Sequence, residues 1–321
     1  MQLRTMSAST NDAMKIVSVV VPVYYNAGSL PALFDRLQAV ERELVEHHQV
    51  RLQLIFVNDG SRDDSQQALL TLKAQRPETT VVRLARNFGA VRASRTGFRF
   101  VQGDAFVIIA ADLQDPPELL LEMVPRWLAG GKFVIAVRAS RGDPWISRMY
   151  SSMYYRILRL LVVPEYPEGG FDMALMDRAM LEPMRNSSKN AFTPLLAYWL
   201  GYQPEVVTYH RPARDHGTSR WTFSRKVQAL LDVMLGFSVT PIRLISAIGA
   251  VVAGLSFGYG IMVVIGALLG KIQVSGFATL AILVTFLLGL IIIMLGVIGE
   301  YLWRIFDEVN KRPETVIDEV V

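Results

Sequence analysis

Short apolar runs and helix-spaced stretches take turns along roughly the first 235 residues. Ile16–Val23, Leu52–Val57, Val81–Leu84, Phe106–Ala111 and Phe133–Val137 are β-branched-rich and hardly alternate with polar residues. Such runs predict strands buried on both faces of a parallel sheet. Between them, Leu30–Glu46, Ser65–Ala74 and Ala90–Val101 carry apolar residues at helical spacing. The alternation predicts an α/β domain with a doubly wound, mainly parallel sheet. No G-x-G-x-x-G follows the first strand, which argues against a dinucleotide oxidoreductase.

The pattern changes completely near residue 240. Ile242–Leu269 contains one charge, Arg243, and Val274–Gly299 contains none. Each exceeds the roughly 20 residues that cross a hydrocarbon core. Lys271-Ile272-Gln273 between them suits only a tight hairpin, so the outer ends of both spans share one side. Arg225, Lys226 and Arg243 precede the pair, and Arg304, Lys311 and Arg312 follow it, which predicts cytoplasmic chain ends. Tyr301 and Trp303 fall where an interfacial aromatic belt is expected, and Gly254-xxx-Gly258 and Gly266-xxx-Gly270 are candidate close helix contacts. The predicted organisation is a polar N-terminal tail (1–14), a cytoplasmic domain (15–221) and a juxtamembrane amphipathic helix (222–240). Two transmembrane helices (241–305; about 242–269 and 274–303) and a cytoplasmic C-terminal tail (306–321) complete it. Trp145–Val163, apolar at helical spacing with Arg148, Arg156 and Arg159 interspersed, suits either a helix in the headgroup region or one packed on the sheet.

Composition fits this hybrid. Apolar residues make up 51%, yet the first part reads as an ordinary water-soluble domain with a substantial core. Cysteine is absent, which removes disulfides, thiolate metal sites and a cysteine nucleophile. The net charge of +4 is placed near the spans, suiting membrane lipids rather than nucleic acid.

The candidate chemistry lies where strands stop. Pro22-Val23-Tyr24-Tyr25-Asn26 closes the first strand, Asn58-Asp59-Gly60-Ser61 the second, and Asp112-Leu113-Gln114-Asp115-Pro116-Pro117-Glu118 the fourth. The carboxyl edge of a parallel sheet is where such folds bind ligands. Asp59 can accept from a base N–H or a ribose hydroxyl, and Tyr24 can offer a ring face. Asp112 with Gln114 can hold a hard divalent cation. Singly, Asp59-Gly60-Ser61 also reads as a turn and the acids as solvated ends; together they describe a nucleoside-diphosphate site.

These segments, with Val20-Val21-Pro22-Val23-Tyr24, Arg86-Asn87-Phe88-Gly89 and Leu175-Met176-Asp177-Arg178, resemble family 2 glycosyltransferases. The match is to the membrane-bound polyprenyl-phosphate type, similar to bactoprenol glucosyltransferases and dolichyl-phosphate mannose synthase. Gly299–Val309 with Arg312-Pro313 resembles the end of the second span in the bactoprenol branch. The resemblance implies a GT-A-type domain and a Mg²⁺ or Mn²⁺ cofactor. It implies transfer of a sugar, with inversion, from a nucleotide-diphosphate sugar (UDP favoured over GDP) to polyprenyl phosphate. It further implies a homo-oligomeric, multi-pass protein of the bacterial inner membrane, serving cell-envelope glycan modification.

Residue by residue, the resemblance implies donor contacts from Pro22, Tyr24, Asn26, Asp59 and Arg86, and metal contacts from Asp112 and Gln114. Asp112 and Asp172 are implied as catalytic, Asp172 as acid or base, phosphate positioner or metal support. Arg214, Ser219 and Arg220 are implied to close over the diphosphate and lipid phosphate, although basic residues there also suit plain membrane anchoring. Ala27, Ala110 and Ala174 depart from the family pattern, where a glutamate, an acid and an arginine are usual. These departures raise a catalytically degenerate nucleotide-sugar-binding relative as an alternative, and a transferase to another membrane glycolipid stands as a second.

Overall fold

The computed structural model describes residues 14–139, 152–153, 155–156, 158–160, 163–167, 170–188, 193–209, 240–270 and 276–321. They fall into two compact units: one built around a sheet, which includes 313–321, and one holding two long apolar helices. The predicted juxtamembrane helix, the hairpin at 271–273, Arg214, Ser219, Arg220 and the N-terminal tail up to residue 13 lie outside the described residues. So does most of Trp145–Val163.

The sheet has eight strands: β1 (Lys15–Val23), β2 (Val50–Asn58), β3 (Thr80–Leu84), β4 (Ala105–Ile108), β5 (Phe133–Arg138), β6 (Met173–Asp177), β7 (Pro204–Tyr209) and β8 (Ile317–Val320). Their order is β7-β5-β6-β4-β1-β2-β3-β8. β4, β1, β2 and β3 are parallel neighbours, as the apolar runs predicted. β5 and β7 are also parallel, whereas β6 and β8 run antiparallel to their neighbours. Since β6 is antiparallel to both β4 and β5, the carboxyl ends of β4 and β5 face one edge.

Local chemistry explains the central elements. β1 is buried over five consecutive residues, Val17–Val21, as a strand covered on both faces must be. Helix α1 (Leu30–His48) buries Leu30, Leu33, Phe34, Leu37, Val40 and Leu44 on one stripe, begins with proline in its first turn and ends at left-handed Gln49. It packs with Val17, Val19, Val21 and Val23 in the main core. On the opposite face lies α3 (Ala90–Gly97), so close that a Cβ on Gly97 would sit 2.3 Å from Val20 Cγ1. α2 (Ser65–Gln75) follows β2, and α4 (Leu120–Leu128) follows the acidic segment. α5 (Leu181–Arg185) and α6 (Thr193–Trp199) lie between β6 and β7.

Three sequence expectations shift. β4 stops at Ile108, not Ala111. Ile109 still donates to Val20 O, but the chain then turns beneath Ser29, whose hydroxyl donates to Ala111 O at 2.6 Å. α3 ends at Gly97 and tightens into a 3₁₀ turn over Phe98–Phe100. The segment after the second long helix, expected as a tail from residue 306, instead supplies helix to Val309 and then β8, which covers the free edge of β3.

In the other unit, α7 (Thr240–Leu268) and α8 (Phe277–Val309) contain apolar stretches at 242–263 and 286–309 with mean hydropathies of 1.8 and 2.2. At 1.5 Å per residue both helices exceed the roughly 30 Å hydrocarbon thickness. Leu255, Phe257, Ile292 and Ile293 are exposed, the pattern of a lipid-facing surface rather than a soluble core. Among the described residues, no atom lies within 4 Å of a Cβ added at Gly254 or Gly258, whereas one added at Gly249 would lie 3.1 Å from Met294 Cε. The close approach among the described residues is thus at Gly249 rather than at the expected Gly254-xxx-Gly258 pair.

Candidate active site

The ends of β1 and β2 are stitched together by side chains. Asn26 Oδ1 accepts from Tyr24 N at 2.9 Å, while Tyr25 N and Asn26 N donate to the hydroxyls of Ser61 and Ser65. Tyr25 adopts a left-handed backbone (φ 58°) and meets Tyr24 edge-to-face, so the loop is held in a conformation non-glycine residues seldom take. Ala27 N approaches Asp63 Oδ2 at 3.5 Å, at the limit of a hydrogen bond.

Asp59 is almost wholly buried, and its two oxygens accept from Phe88 N at 2.7 Å and Gly89 N at 2.8 Å. Burial raises its carboxyl above the ordinary value, and the two N–H groups and Arg86 counter that rise. Asp59 thus anchors the turn that opens α3, a role the sequence did not reveal, while each oxygen keeps a second acceptor direction. Arg86 lies 4.2 Å from the centre of the Phe88 ring, at the same turn. Gly60 (φ 65°) makes the approach possible, because a Cβ there would stand 2.5 Å from Arg86 C. Gly60→Ala is expected to cost about 2 kcal/mol or more and to weaken nucleotide binding, read as a lower melting temperature and a raised Kd.

Asp112, Gln114 and Asp115 follow β4. Asp112 is exposed, and its Oδ1 accepts from Gln114 N at 3.2 Å. Leu113 is left-handed (φ 62°), which turns the chain so that Gln114 and Asp115 are both buried. Among the described residues no three Asp, Glu or His side chains converge as a ready cation cage. A cation held by one carboxylate and one carboxamide, with substrate phosphates and water completing the shell, is the mode Mg²⁺ commonly takes. Asp112 and Gln114 fit that mode and no fuller one.

Asp172 stands at the start of β6 beside two neighbours that sequence reasoning missed. Arg138, the last residue of β5, binds it bidentately, and the Tyr209 hydroxyl at the end of β7 donates to it at 2.8 Å. The strand register explains the meeting: β5 and β7 pair Arg138 with Tyr209, and β5 and β6 pair Ala136 with Met173. Asp172 raises the Arg138 guanidinium further above its ordinary value, and Asp115 adds to the rise through its charge. Arg138 was visible only as a cation just past a predicted strand, and Tyr209 belongs to a strand with no strong apolar run. Asp115 was quoted in the acidic motif without a role.

A cavity of about 270 Å³ is bordered by Asp115 and Asp172, together with Pro22, Ser94 and Thr193. Ala110 and Ala174, two of the three departures from the family pattern, line it as well. The Thr193 hydroxyl is buried without a partner among the described residues. Pro22, Asp112, Gln114 and Asp172 thus share one sheet edge with the Asp59 turn, Tyr24 and Asn26; Arg214, Ser219 and Arg220 are not among the described residues.

Residues 18–184 match the family model described as Glycosyl transferase family 2. The chain belongs to this family. Near-full-length relatives agree: a prophage-derived bactoprenol glucosyl transferase of Shigella flexneri is 32% identical over 94% of this chain and 97% of its own. An uncharacterized glycosyltransferase of Bacillus subtilis is 34% identical over 94% and 93%, and one of Synechocystis 32% over 95% of each. Among solved structures, glucosyl-3-phosphoglycerate synthase from Mycobacterium tuberculosis superposes with a TM-score of 0.47 at 19% identity, covering 70% of this chain and 81% of that one. As a family 2 glycosyltransferase the chain has a GT-A-like α/β domain, and α7 and α8 are its candidate membrane spans.

Proposed function

We propose that this glycosyltransferase moves a sugar from a nucleoside-diphosphate donor, expected to be a UDP-sugar, to polyprenyl phosphate at the cytoplasmic face of a membrane, with inversion. The observation that carries the reading is the placement of Asp59, Asp112, Gln114 and the Asp172–Arg138 pair at one sheet edge, in a chain that also carries two membrane-length apolar helices. The relatives named bactoprenol glucosyl transferase support the acceptor. The sheet itself supports the topology. β7 precedes the two helices and β8 follows them, yet both belong to one sheet, which supports an even number of crossings between them. The flanking arginines and lysines favour the cytoplasm for that side.

A lipid phosphate oxygen is already anionic near neutral pH, so it needs placing more than deprotonation. It attacks the anomeric carbon as the bond to the diphosphate breaks, and the bonding pair leaves on the nucleoside diphosphate. A divalent cation held by Asp112 and Gln114 would supply neutralisation of the charge that develops there. The charge of Asp172, matched by Arg138 and oriented by Tyr209, suits electrostatic positioning of the reacting groups. Arg214, Ser219 and Arg220 are proposed to close over the phosphates.

The full-length protein in detergent, given a panel of radiolabelled nucleotide sugars and undecaprenyl phosphate, is expected to place label in the lipid extract. Nucleotide binding with no labelled lipid from any donor would identify a degenerate relative instead. Label appearing only on an added glycolipid would change the acceptor.

A further inference from the structure

We propose that the segment after the second apolar helix is a strap that positions α3 for catalysis, with Glu314 and Thr315 as its positioning residues. It rests on the transfer reading above only for its activity measurement.

β8 pairs with β3, and Arg83 bridges to Asp318 and Glu319. Val81 and Val321 exchange both backbone hydrogen bonds, and Ala85 N donates to Val316 O. Covering a sheet edge would need no more than this strand. The two residues ahead of it do something further. Glu314 pairs with Arg95 Nε at 3.1 Å, and the Thr315 hydroxyl meets that of Thr96 at 2.7 Å, both Thr side chains being buried. Arg95 is itself buried, and its other nitrogens donate to Ser187 O and Ser188 O, which follow α5.

Arg95 and Thr96 belong to α3, whose remaining face borders the cavity of Asp115 and Asp172 through Ala90, Val91 and Ser94. α3 spans two turns, too short to hold its own position without tertiary support. Gly97 sets it hard against β1 at one end, and Gly89, donating to Asp59, ties it at the other. The strap grips the last turn, through Arg95 and Thr96. A displacement of the cavity wall by about 1 Å is enough to disturb alignment of the reacting groups.

The test uses the full-length enzyme in detergent, as Glu314→Gln with Thr315→Val, Thr315→Val alone, and Thr315→Ser. The single valine variant keeps the Arg95–Glu314 pair and guards against a double variant that does not fold. Both valine-bearing chains should speed amide exchange in α3, and the double variant should lose about tenfold in kcat with nucleoside-diphosphate Kd within about twofold. Thr315→Ser, which keeps the hydroxyl, should restore both readings. Unchanged α3 exchange and kcat would overturn the proposal. So would parallel losses of kcat, nucleotide affinity and melting temperature, which describe a general structural contribution. Faster α3 exchange in an enzyme whose unsubstituted form never labels lipid would support the strap and overturn the transfer reading.

Discussion

Asp112→Asn is expected to lower transfer by about 10²-fold or more, with the fold intact. Asp112 is exposed at the sheet edge and makes one hydrogen bond, to the backbone of its own turn, so its loss leaves the core untouched. Ala110 supplies no second carboxylate, and among the described residues no cluster of three acids or histidines stands ready to take over a cation. A chelator should likewise stop the unsubstituted enzyme, and Mg²⁺ or Mn²⁺ should restore it. Full turnover of Asp112→Asn in saturating chelator would end the cation proposal.

Asp172→Asn should reduce single-turnover rate by about 10²-fold while leaving nucleotide affinity nearly unchanged. The substitution keeps shape but removes the charge that Arg138 binds through two nitrogens. Arg138 is only partly exposed, so its unmatched charge should also lower the melting temperature. Stability loss alone does not give the same result: a purely structural ion pair would yield a less stable enzyme with a normal rate at low temperature. Arg138→Gln provides the complementary measurement. If the two groups act as a unit, the double variant should be little slower than either single one. Near-normal single-turnover rates in Asp172→Asn would remove it from the reaction.

What the chain alone determined is whatever is written within a few residues. The four central strands came from unalternated apolar runs, which only a sheet covered on both faces accommodates. The two long helices came from length and hydropathy, and the acidic turn after β4 from its own residues and prolines. The antiparallel strands had no comparable signal. β6 is five residues long and β8 four, and the exposed edge strand β8 needs no apolar run.

Tertiary structure decided the partnerships. Asp172 is 34 residues from Arg138 and 37 from Tyr209, and only the register of three adjacent strands brings them together. The turn at Phe88 and Gly89 gave no sign that it would cap Asp59, because that bond depends on the close approach that Gly60 permits. Arg83 and Asp318 lie 235 residues apart, and their meeting required the chain to pass through both apolar helices and return to the sheet. Local patterns specify which segments become strands or helices; the pairing of distant edges depends on contacts that no sequence window contains.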